Sequence, residues 1–340
     1  MNKFRPIVLA AAIFISGRVF SEQQTPPPLK LAQTFKLPAA IEGHFDHFAV
    51  DAKQHRMFAA AVDHKALLVV DIVTGKLLHS IPMEVPRAIV YREDLDRIYV
   101  SEGGEGALRI YDGKTYKLLK NVKLQVDADP VVYDPTTKCI YVVNGGEKAE
   151  QVYSLVSVVD TNSGERLADI KVPGIELEAM VIENSGPRLF VNNRDKNQVD
   201  VIDRQKRELI ASWPVTLAKG NTSIGLDEST HRLFVAARSG QLVVFNTDTG
   251  KELQAVPIGQ GVDDLAFDPV SKRIYMSCGG GGGSVFVYKE RDADHYEFLG
   301  KVPTSDGAST ARLVTELGRY FVLSPQQRNE PAKILVFDIQ

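Results

Sequence analysis

Cysteine is almost missing from this sequence: Cys139 and Cys278 are the only two among 340 residues. Two thiols cannot build a disulfide-dense scaffold. With no C-x-x-C pair there is no basis for a thioredoxin-like, zinc-ribbon or c-type haem site. Basic charge is not in excess either. Lys and Arg number 40 against 43 Asp and Glu, so the chain lacks the cationic surplus on which sequence-independent nucleic-acid binding rests. No amphipathic helical period stands out, and neither a Gly-x-Ser-x-Gly elbow nor a His-Glu-x-x-His pair occurs. No stretch reaches the roughly 18 apolar residues of a membrane span.

The N-terminus reads as a secretory signal peptide. Lys3 and Arg5 give a basic start, Ile7 to Ile15 is an apolar run, and Val19-Phe20-Ser21 supplies a cleavage site after Ser21. Removal of residues 1–21 takes away three basic residues and no acid, moving the formal net charge from −3 to −6. The expected mature protein is periplasmic or extracellular, soluble, and not inserted in a membrane once the signal is cleaved. Residues 22–30 form a Pro-rich linker around Thr25-Pro26-Pro27-Pro28, extended rather than packed.

What the sequence has in abundance is repetition. Arg97-Ile98-Tyr99-Val100 has six relatives, and the aromatic recurs at Phe58, Tyr99, Tyr141, Phe190, Phe234, Tyr275 and Phe321. The spacings run from 41 to 49 residues, a period that signals a repeat architecture. Each period divides into four short apolar strands broken by Gly, Asp, Asn and Pro. The fold expected is all-β: a seven-bladed β-propeller of four-stranded antiparallel blades. The blades fall at approximately 44–82, 85–125, 127–172, 176–215, 220–258, 261–302 and 308–340. The last period ends at Gln340 after three strands, and the unused strand at residues 31–38 is expected to complete it, closing the ring.

The run Ile140-Tyr141-Val142-Val143-Asn144-Gly145-Gly146, followed by Val156, Val158, Val159, Asp160, Thr161 and Gly164, resembles the YVTN-repeat (YncE-like) family of exported bacterial β-propellers. The resemblance covers residues 31–340 and implies the same fold in an exported protein. Literal Tyr-Val-x-Asn stands only in the third repeat. There is no Gly-His…Trp-Asp pattern of WD-type blades. The lone Trp213 argues against the tryptophan-docked ring of quinoprotein dehydrogenases.

The inner strand of each blade lines a propeller's channel. Counting five residues back from the end of each inner strand selects Asp46, Arg87, Asp129, Glu178, Thr222, Asp263 and Thr310, expected to ring one mouth. His44, His47, Asp127 and Asp264 add polar groups nearby. Such a ring reads either as the polar lining of a water-filled channel or as a binding site. Clustered carboxylates suit Ca²⁺ or another hard divalent cation, with His44, Asp46, Asp129, Glu178 and Asp263 as candidate ligands, or an organic cation with Arg87 setting register. Loops on the same face offer Asn193, Arg194 and Arg328 as further contacts.

Five glycines, Gly279 to Gly283, lie between two strands rather than before a helix, which excludes a phosphate loop. The cysteines fall in the third and sixth blades, too far apart to pair. Cys139 is expected to pack as an apolar residue and Cys278, beside the glycines, to be the more reactive thiol.

The function expected is a non-catalytic binding scaffold for a small molecule or protein partner, acting as a monomer and requiring no certain cofactor. Two alternatives remain. One is a metal-dependent, lactonase-like hydrolase using the channel carboxylates. The other, by analogy of fold alone, is an accessory factor of a periplasmic redox system.

Overall fold

The computed structural model describes Met1, residues 26–328 and residues 330–340. The expected signal peptide and its cleavage position lie outside the described residues. Seven antiparallel four-stranded sheets follow one another along the chain. Two short 3₁₀ turns, Gly146–Ala149 and Thr315–Leu317, are the only helical segments among the described residues. In the first blade the strands run Phe45–Asp51, Arg56–Ala61, Ala66–Asp71 and Leu77–Pro82 from the axis outwards. The inner strands neighbour one another around the axis, and the seventh, Thr310–Val314, returns to the first. The chain is an all-β seven-bladed propeller.

The repeated motif explains why blades form and stack. Its aromatic is at most 2% exposed in every blade and sits in the hydrophobic cluster shared with the next blade. Phe58 packs between the first and second blades, Tyr99 between the second and third, and Phe321 between the seventh and first. Seven such clusters fill the seven seams. Burying one such ring is worth about 1.5–3 kcal/mol. In five blades the arginine two positions earlier has its own role. Arg97 donates to Asn162 O at 2.9 Å and Arg232 to Ala293 O at 3.0 Å. Arg56, Arg188 and Arg273 likewise reach carbonyls of the following blade. Sequence periodicity therefore records two kinds of inter-blade contact, one apolar and one charge-assisted.

The last blade takes its outer strand from the N-terminus, as expected from the missing fourth strand. That strand is Leu29–Lys36, two residues earlier than read from the sequence, and it pairs antiparallel with Lys333–Ile339. Leu29 opposes Ile339 and is buried, so burial draws pairing into the end of the expected linker, and Pro38 falls outside the strand.

The glycine run is a hairpin loop between Arg273–Cys278 and Ser284–Asp292. A Cβ on Gly283 would lie 1.8 Å from Ser305 O, and one on Gly280 2.9 Å from Gln260 O. Close packing against adjacent loops explains these two glycines. Cys278 beside them does not meet the expectation of a reactive thiol. It is fully buried against Phe286 and Gly259, and burial pushes its pKa up to about 12, so little thiolate exists at neutral pH. Cys139 is also free and buried.

Candidate functional site

Bulges in the inner strands create the site. In the first blade Phe45 pairs with Ala61 and Phe48 with Ala59, leaving Asp46 and His47 opposite a single residue. The same two-against-one arrangement holds Arg87 and Ala88 in the second blade and Glu178 with Ala179 in the fourth. One extra residue, Thr222 or Asp263, does so in the fifth and sixth. A bulge bends the strand and re-aims side chains that a regular pleat would send alternately to opposite faces. Asp46, Arg87, Glu178 and Asp263 are thereby positioned by strand backbone, whereas Asp129, Arg194 and Arg238 stand in the turns that flank the strands.

Asp46, Arg87, Asp129, Glu178 and Asp263 line one cavity of about 310 Å³. Thr222 and Thr310 do not. Both are buried, with their hydroxyls donating to Gly220 O at 3.1 Å and Phe45 O at 3.4 Å. Short side chains satisfied by backbone do not reach the lumen. His44 is on the cavity rim, held by Asp63 at 2.7 Å. Asp127 is also on the rim, 3.0 Å from Lys148. Of the loop residues, Arg194 lines the cavity. Asn193 instead turns inward, donating to Pro173 O at 2.9 Å and Asp200 at 2.6 Å, and Arg328 is exposed away from the cavity lining.

Four charged lining residues, Glu147, Lys148, Glu176 and Arg238, lie outside the candidates drawn from the sequence. Arg238 reaches Asp263 at 2.8 Å. It stands four positions after the repeat aromatic Phe234, as Arg194 does after Phe190, and that shared offset was a usable signal. Glu176 pairs with Arg194 at 2.5 Å, just ahead of the inner strand, where counting from strand ends does not look.

Seven carboxylates and four basic side chains line the cavity, and the pairing is uneven. Arg87 binds Asp46 at 2.8 Å and lies 3.7 Å from Asp129. Arg194 contacts Glu178 at 2.6 Å. Asp129 Oδ1 is buried with no hydrogen-bond partner. Burial and the neighbouring Asp46 push the Asp129 carboxyl well above its usual range despite Arg87. Burial pushes Glu178 up to about 7, against the pull of Arg194. Burial likewise raises Asp263, with His47 and Arg238 opposing. His47 lies 3.4 Å from Asp46 and 3.2 Å from Asp264. Burial works against its charge, but the Asp264 and Asp46 carboxylates outweigh it and hold the imidazole well above its ordinary value.

For a metal, one group qualifies among the described residues: ligand atoms of Asp46, His47 and Asp129 all lie within 4.8 Å of one another. His44, Glu178 and Asp263 are outside that group.

No family model matches the chain, and no curated protein matches it in sequence. Solved structures do match in shape. A chain of the mitotic checkpoint complex superposes with a TM-score of 0.72 at 11% identity, covering 99% of both chains. A chain of Kuenenia stuttgartiensis hydrazine synthase gives 0.72 at 15% identity, covering 96% of this chain and 98% of that one. At such identities the likeness is one of architecture, whole chain to whole chain. It agrees with the seven-bladed propeller fold.

Proposed function

We propose that this chain is an exported, non-catalytic binding protein of the YVTN-repeat type that holds a small cationic molecule at the channel mouth. The observation that carries the reading is Asp129. Its Oδ1 has no partner in a cavity where acids outnumber bases seven to four. A cation entering there supplies the missing donor and relieves the repulsion between Asp129 and Asp46. Export is supported by the basic, apolar and small-residue regions of the N-terminus.

A divalent ion is the second reading, favoured by the clustering of Asp46, His47 and Asp129. Two carboxylates and one imidazole suit a hard or borderline cation, and the unpartnered Asp129 Oδ1 gives it a free ligand atom. Against it, Arg87 already neutralises Asp46. The organic cation needs no displacement of that guanidinium and is the better fit.

Calorimetric titration with putrescine and, separately, with Ca²⁺ tests both readings. Saturable heat with the diamine, reduced at least tenfold in affinity by combined Asp129→Asn and Glu178→Gln changes, is expected. Saturation by Ca²⁺ alone would replace the first reading by the second. No heat from either probe would remove both from the channel mouth.

A further inference from the structure

In the third, fourth and sixth blades one residue near the end of the third strand holds the same place. Its N–H donates to the carbonyl just before the second strand of its own blade: Thr161 to Lys138, Arg204 to Pro187 and Glu290 to Lys272. Its side chain crosses the seam to the residue that ends the inner strand of the preceding blade. Arg92 of the second blade donates to the Thr161 hydroxyl, and Arg204 pairs with Asp134 of the third. Both seams join complementary groups. The seam between the fifth and sixth blades does not. It sets the Glu290 carboxyl against that of Asp227, within hydrogen-bond reach.

Both acids are 3% exposed. Asp227 Oδ1 accepts the N–H and hydroxyl of Ser229 at 2.9 and 2.7 Å, and its Oδ2 accepts the Lys272 ammonium at 2.6 Å. Glu290 Oε1 accepts the Thr230 hydroxyl at 2.8 Å. Its Oε2 is buried and meets no N–H or hydroxyl donor among the described residues. Counter-charge is short as well. Lys272 is the only cation in contact with the pair among the described residues. Arg232 nearby is held by Asp294 at 3.0 Å. Tyr296 is kept protonated by burial and then by Glu290 itself. Two buried anions on one ammonium leave a charge uncompensated, whereas a protonated acid is itself a donor.

We propose that Glu290 is held as a neutral carboxylic acid whose Oε2–H donates to Asp227, forming a proton-dependent latch between the fifth and sixth blades. Asp227 is the ionised partner: against burial, the bonds from Glu290, Lys272 and Ser229 hold it well below the usual carboxylate range. Burial first, and then Asp227, pushes Glu290 up to about 7. Folded Glu290 therefore keeps its proton to higher pH than an unfolded chain does. The latch contributes fully below the ordinary carboxylate value and is lost as pH rises through about 7. Its loss leaves two adjacent carboxylates sharing one ammonium, and the seam loosens at the end away from the mouth. At the mouth Arg238 and Asp263 tie the same two blades at 2.8 Å, so the latch stands whether or not a cation binds there.

The test is hydrogen exchange read by mass spectrometry at about pH 5 and about pH 8.5, corrected for the intrinsic exchange rate. In wild type, peptides containing Asp227 or Glu290 should lose protection about tenfold at the higher pH, while peptides of the seam between the second and third blades keep theirs. Glu178 titrates over the same interval, so the Glu178→Gln protein is measured too and should show the same local loss. Glu290→Gln gives Asp227 a permanent N–H donor and should abolish the loss. Glu290→Met, with no donor, should lack the protection already at the lower pH. Unchanged protection in wild type overturns the latch, as does a loss spread evenly over all seven seams. A loss that vanishes in Glu178→Gln, or persists in Glu290→Gln, overturns it as well. Should Glu290→Met fail to fold, wild type, Glu178→Gln and Glu290→Gln decide the matter.

Discussion

Glu178 shows how a single buried side chain links the site to pH. Its carboxyl is pushed up to about 7 in the folded protein, whereas an unfolded chain ionises it near its ordinary value. Between those two values the folded state keeps a proton that the unfolded state releases, so rising pH favours unfolding. Removing the ionisable group removes that penalty. Glu178→Gln should therefore match wild type in stability near pH 4 and exceed it at pH 8. The gain should be on the order of 2 kcal/mol, less than the full linkage because channel water screens part of it. Guanidinium denaturation at both pH values measures it, and a difference that did not grow with pH would show that Glu178 is ionised throughout. Affinity for a cation at the mouth should rise over the same interval as the carboxylate forms. None of this was legible from the sequence, which identified Glu178 as a channel residue by counting but gave no burial. Counting also put Thr222 and Thr310 in the ring, because it could not see that a short hydroxyl satisfied by backbone stops short of the lumen. Cys278 failed for a related reason. Proximity to glycine suggested exposure, but glycine there permits close packing and hides the thiol.

At the level of the strand, apolar periodicity was enough to find the architecture and not enough to find its bulges. Inner-strand bulges aim Asp46, Arg87, Glu178 and Asp263 at the mouth, and each is a one-residue departure that an alternation pattern absorbs without trace. Outer strands carry bulges too, one in every blade: the register slips at Leu78, Leu119, Leu167, Ile210, Leu253 and Leu299, and at Ala32 in the N-terminal strand. These twist the seven exposed edges away from the flat geometry that invites pairing with another chain. The N-terminal strand is where the period is most informative, since an incomplete last repeat demands a strand from elsewhere. Its removal should be severe: a protein beginning at Leu37 loses the partner of Lys333–Ile339 and the buried Leu29. The expected result is a fall in Tm of more than about 10 °C or failure to fold. An unchanged Tm would mean that the strand adds no stability.

On the scale of the whole molecule, the seam between the seventh and first blades differs from the other six. Elsewhere the chain runs unbroken from a blade's third strand through its outer strand into the next inner strand. Here the covalent link runs from Leu29–Lys36 to Phe45–Asp51, and Leu29–Lys36 is held to its own blade only by pairing with Lys333–Ile339. Opening the ring therefore requires peeling a strand as well as parting the hydrophobic cluster of Phe45, Phe48, Phe321 and Ile334. Gln340 N donates to Pro28 O at 3.1 Å, so a short turn can join the C-terminus to Pro28 without displacing either strand. A circular permutant made in this way, with new termini between Lys36 and Phe45, keeps every strand pairing but joins the seventh and first blades by packing alone. It should fold to the same far-UV spectrum, since closing sequence-adjacent strands into a hairpin lowers the mean sequence separation of contacts. Its unfolding rate in guanidinium should rise about tenfold or more, because the seam can part without breaking a ladder. Equal unfolding rates for permutant and wild type would show that the packed cluster alone governs opening of the ring, and that strand exchange at this seam matters to assembly rather than to persistence.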